Sequence, residues 1–177
     1  MIHRLMRCAA GVLVVAAMSW PALAEDSPIG FVSGPLAGAA ARNAKHTEEQ
    51  ASDGGGIVRT DTATFSTRGL VVSVDWARLP GGYHWRDTDR IAGLSQSVQR
   101  WLKATGFTVV RGDRTSVNSF LTQYRIISLS GTGARCGVFD MSRTNHLIQG
   151  AVCAPNGGEV PLLAVLQGLS INNVIGP

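Results

Sequence analysis

Apolar and polar positions alternate along residues 68–76. Leu70, Val72, Val74 and Trp76 fall on one side, Val71, Ser73 and Asp75 on the other. This period of two predicts a half-buried strand. Residues 57–66 are sparser in apolar positions and rich in threonine, which fits an edge strand or a loop beside it. The period then lengthens. Ile91, Leu94, Val98, Trp101 and Leu102 recur at helical spacing behind Asp87, Thr88 and Asp89, which supply an N-cap and an acidic first turn. Lys103 and Gly106 close that helix. Gly93 inside it costs about 1 kcal/mol relative to alanine, which points to a close backbone approach.

Residues 107–111 read as a short strand, and Gly112, Asp113 and Arg114 as a turn. Three further segments, 120–129, 134–141 and 146–152, are joined by short loops and predict an antiparallel meander. Pro161 opens a second helix whose Leu162, Leu163, Val165, Leu166 and Leu169 cover the sheet. The expected fold class is α+β: an antiparallel sheet of about four to six strands with two helices packed on one face.

The first 24 residues have a different pattern. Arg4 and Arg7 precede an apolar run over residues 9–19, and Ala22, Leu23 and Ala24 form an A-x-A cleavage site. Residues 1–24 are therefore expected to be a secretory signal peptide, with the exported chain beginning at Glu25. The apolar run is about half the ~20 residues needed to cross a bilayer, so no transmembrane segment is expected after cleavage. Cys8 precedes this run, whereas a lipidated cysteine would follow it. Residues 25–56 are rich in Ala, Gly and Ser without a sustained apolar period and are expected to be a flexible leader, with at most a short helix over 37–45. Residues 57–177 are expected to form a single α+β domain.

Composition narrows the function classes. The 177 residues include 16 Lys and Arg against 12 Asp and Glu. Arg4 and Arg7 belong to the signal segment, so the exported chain is only mildly basic, and a nucleic-acid partner is not expected. Cys136 and Cys153 are the two cysteines that remain after cleavage, and an oxidising compartment would join them. Their spacing fits neither a C-x-x-C redox motif nor a zinc site, so the bridge is read as structural.

The densest candidate for function is the connection between the alternating strand and the first helix. Tyr83, His84 and Trp85 offer flat contact area, Arg86 and Arg90 offer bidentate anion recognition, and the helix N-terminus adds unpaired N–H groups. A carboxylate or phosphate on an envelope protein or an anionic envelope component would fit this surface. No metal, cofactor or complete catalytic constellation is expected: G-x-S-x-G and the phosphate-loop motif are absent. The reading is an exported, non-catalytic binding or interaction domain of the bacterial cell envelope, periplasmic or secreted. One alternative is a small secreted hydrolase using His84 or His146 with Asp75, Asp87 or Asp140. Another is a structural subunit whose edge strand, residues 57–66, pairs with a neighbour.

Overall fold

The computed structural model describes residues 26–51, 56–67, 69–86 and 88–175. Antiparallel sheet dominates. Seven strands run in the order β2 (Arg42–Gln50), β3 (Ile57–Thr67), β4 (Leu70–Arg78), β8 (His146–Ala154), β7 (Arg135–Arg143), β6 (Phe120–Ser130) and β5 (Gly106–Val117). A second antiparallel pair joins β1 (Ile29–Phe31) to β9 (Leu169–Ile171). The helices are α1 (Ile91–Trp101) and α2 (Leu162–Gly168).

The alternation along β4 holds in three dimensions: Val72, Val74 and Trp76 are buried, while Val71, Ser73 and Asp75 are half-buried. The buried side faces the main core, where Phe65, Phe139, Met141 and Ile148 pack with Leu162, Val165 and Leu166 of α2. The other face of β6, β7 and β8 presents Ile127, Cys136, Val138 and Ala151 to Ile91 and Val98 of α1. The two helices therefore cover opposite faces, where one shared face was expected. Strand parity explains this: Cys136 and Val138 project to α1, so the residues between and beyond them, Gly137 and Phe139, must project to α2. A Cβ on Gly137 would meet the Leu162 side chain at 3.0 Å.

Cys136 and Cys153 are directly opposed in the β7–β8 register and are joined by the expected disulfide. The sheet differs from expectation in two ways, a longer β5 and an added strand, β2. β5 does not turn at Gly112, Asp113 and Arg114; it absorbs an irregularity between Val109 and Arg111 and continues to Val117. The turn comes at Asn118 and Ser119, both with positive φ (51° and 64°), the backbone a two-residue hairpin demands. The segment over 57–66 is not an edge strand either, because β2 pairs along its outer side.

That β2 exists corrects the expectation of a flexible leader and of a helix over 37–45. Residues 26–51 carry β1, a 3-10 turn (Gly34–Leu36) and β2. Ile29, Phe31 and Leu36 are buried in the main core. This segment seats against α2 so closely that a Cβ on Gly168 would lie 2.1 Å from the Ser33 carbonyl oxygen. Its few apolar residues suffice because β9 completes the pairing from the far end of the sequence. The signal-peptide expectation and Glu25 lie outside the described residues.

α1 begins with the Asp89 carboxylate accepting the Ile91 N–H at 3.0 Å; Asp87, the expected cap, lies outside the described residues. It ends earlier than Gly106, because Lys103 itself adopts the left-handed conformation (φ 53°). A Cβ on Gly93 would find open space, so no close approach explains that glycine. Among the described residues no helix is long and apolar enough to cross a membrane.

Candidate binding site

The chain leaves β4 near the centre of the sheet and must reach β5 at its far edge. α1 makes that crossing and lies over β6, β7 and β8. The same face of β3 and β4 is left beside the helix, and the step between them forms a groove. Two cavities run along it and meet at Asp75. One, of about 220 Å³, is bounded by Leu94, Ser97, Val98 and Trp101 of α1 and floored by Thr64, Ser73, Gly150 and Ala151. The other, of about 400 Å³, is bounded by Trp85 and Arg90 and floored by Thr60, Thr62, Ala77 and Gln149.

Strand register orders the polar floor. Lys45, Thr62, Asp75, Gln149, Asp140 and Gln123 stand opposite one another across β2, β3, β4, β8, β7 and β6. The two carboxylates of this row have different fates. Asp140 is buried and accepts Arg90 Nη1 at 3.2 Å and Gln149 Nε2 at 3.0 Å. Asp75 makes no hydrogen bond or ion pair with any described residue, and burial pushes its carboxyl above the ordinary value of 3.8. A half-buried acceptor with no protein donor is left to water, and a ligand able to donate to it can take that water's place.

The five residues singled out in the sequence divide. Trp85 and Arg90 reach the groove, but both are anchored. Trp85 donates its indole N–H to the Asn145 carbonyl at 3.0 Å, and its backbone N–H bonds to Thr144. The Arg90 guanidinium is committed to Asp140 and to the Arg86 carbonyl, and it stands 5.8 Å from the Trp85 ring centroid. Tyr83, His84 and Arg86 are exposed on the connection outside the cavities. The groove also includes Trp101, 49% exposed, and the threonines of β3. Sequence reading placed Trp101 in the buried helical stripe. The available signal was its position at the last turn, where a large ring overhangs the sheet.

His146 stands on the opposite face from Asp75 and Asp140. Its Nδ1 accepts the Trp76 indole N–H at 3.2 Å, and the two rings stack with centroids 6.0 Å apart. Burial, then Arg143 and Arg78, hold its pKa below 6.5. The sheet thus separates His146 from Asp75 and Asp140, whereas His84 is exposed on the connecting loop and Asp87 lies outside the described residues. On the face of His146, buried Asp61 bridges His46 Nδ1 (2.7 Å) and Arg78 Nη2 (2.6 Å), and His46 Nε2 lies 3.5 Å from Glu48. Both His46 ring nitrogens face carboxylates, Asp61 above all, and these raise its pKa above the ordinary 6.5. Among the described residues no cluster of three or more His, Cys, Asp or Glu could hold a metal ion. No family model matches the chain, and no curated protein matches it.

Proposed function

We propose that this chain is an exported, non-catalytic binding domain of the bacterial cell envelope, and that the groove beside α1 is its working surface. The observation that carries the reading is Asp75: an unpartnered, partly desolvated carboxylate where two cavities meet, between Trp85 and Trp101. Function retains such a group where stability alone would remove it. The amino-terminal pattern and the Cys136–Cys153 bridge support export through an oxidising compartment. The rigid base of β3, β4 and β8 supports binding without chemistry, since the groove offers an acceptor, hydroxyls and indole faces but no nucleophile paired with a base.

Photo-crosslinking in the exporting cell tests the proposal. A photoreactive residue at position 101 should give a discrete product that a probe at Arg59, on the other face, does not. Filling the groove with Thr62→Trp should remove that product. Persistence of the same product in the filled variant would mean that the groove is not the binding surface.

A further inference from the structure

The smaller cavity is a slot with two chemically distinct parts. Leu94, Val98 and Ala151 line it with the smaller polar residues Thr64, Ser73 and Ser97, Trp101 borders it, and Asp75 stands where it meets the larger cavity. At about 220 Å³ it is below the ~300 Å³ at which pockets for drug-sized ligands begin, and suits one long side chain. An occupant that fits must be apolar along its stem and able to satisfy a carboxylate at its tip.

The charges around Asp75 decide the sign of that tip. On β8, Gln149 is neutral and donates to Asp140; on β3, Thr62 is neutral. Arg90 is committed to Asp140. Lys45, on β2, is two strands away in the same row, about 10 Å by strand spacing. The anion-binding character expected from Arg86, Arg90 and the helix N-terminus is therefore not what the slot offers. Arg90 is neutralised, the Ile91 N–H is capped by Asp89, and the uncompensated charge is negative.

We infer that the slot between α1 and β4 receives a basic side chain, lysine or arginine, from a partner polypeptide, with Asp75 as counter-ion and Trp101 covering the stem. The methylenes would lie along Leu94 and Val98 as long cationic side chains do on apolar surface, and the indole face adds cation–π attraction near the tip. This inference rests on the groove being the binding surface.

The test uses the exported chain and three peptides: acetyl-Gly-Lys-Gly-amide, its norleucine analogue, which keeps the stem and lacks the ammonium, and its Nε-acetyl-lysine analogue. Binding is read from the indole N–H resonances of Trp101 and Trp85. The lysine peptide should shift Trp101 and bind at least tenfold more tightly than either neutral analogue. Asp75→Asn should abolish that preference, while Asp75→Glu should retain some of it. Equal affinity for the lysine and norleucine peptides would overturn the inference and leave an apolar slot. Binding of a neutral oligosaccharide in the groove, with no effect of the lysine peptide, would also overturn it while preserving the groove as a site. If the lysine peptide leaves both indoles unmoved and Thr62→Trp leaves the crosslink intact, the inference and the groove reading fail together.

Discussion

Arg90, at the start of α1, reaches 3.2 Å to Asp140 on β7, and Asp140 is buried beneath it. The contact fastens the crossing helix to the strand it passes over. Removing one member of such a pair leaves a buried charge without its partner. Arg90→Ala should therefore lower stability by roughly 3 kcal/mol in denaturant titration. Tyr83→Ala, His84→Ala and Arg86→Ala should each stay within about 0.5 kcal/mol of the parent, as exposed positions do.

Asp75 reverses the usual behaviour of a carboxylate. Its folded pKa is raised, so the folded chain holds a proton that the unfolded chain releases, and stability falls as pH rises from 3.8 through the folded value. Asp75→Asn removes that loss. The variant should melt a few degrees above the parent at neutral pH, with the gap closing below the ordinary carboxylate range. A variant melting below the parent at neutral pH would mean that Asp75 has a stabilising partner.

The histidines on the other face oppose one another. Asp61, then Glu48, raises the His46 pKa, so its contribution is complete below 6.5 and is lost as pH rises through the folded value. His146 is depressed by burial and by Arg143 and Arg78, so its contribution is complete above 6.5 and declines as pH falls toward the folded value. His46→Gln should flatten the decline in melting temperature as pH rises above 6.5. His146→Gln should flatten the decline on the acid side, leaving the alkaline limb as it was.

The bridge between Cys136 and Cys153 closes a hairpin across directly opposed residues. Chain-entropy arguments assign a loop of this size roughly 3 kcal/mol. Reduction should lower the denaturation midpoint by a corresponding amount. Cys136→Ser with Cys153→Ser should fall below the reduced chain, because both positions are buried in an apolar cluster between α1 and the sheet, where a hydroxyl costs more than a thiol.

Gly168 gives a prediction for the amino-terminal segment. A Cβ there would collide with the Ser33 backbone at 2.1 Å. Gly168→Ala should cost about 1–3 kcal/mol, as overpacking does, with the earliest loss of hydrogen-exchange protection at Val32, whose N–H bonds to the Gly168 carbonyl.

Local pattern carried much of the fold. The alternation of Leu70, Val72, Val74 and Trp76, the stripe of Ile91, Leu94 and Val98, and the pair Cys136 and Cys153 are each written within short spans and appear as read. Long-range partners escaped that reading. β1 exists because β9 lies beside it, and nothing near Ile29 names Leu169. β2 is polar apart from Ala44, because an outer strand needs only a neighbour's hydrogen bonds. The side on which each helix packs followed from strand parity once register was known. The site was only partly legible: Trp85 and Arg90 lie at the groove, but Asp140, distant in sequence, pairs with Arg90 and neutralises it.

The β1–β9 pair has a mechanical consequence. Its strands are antiparallel, so the chain enters at Pro28 beside the point where it leaves at Asn172, whose N–H bonds to the Pro28 carbonyl at 3.0 Å. A load drawn between these two points pulls across the ladder and not along it. Its hydrogen bonds would break in succession, as a zip opens, at low force. The wide sheet, lying outside that line of tension, would keep its groove intact until the clasp had gone.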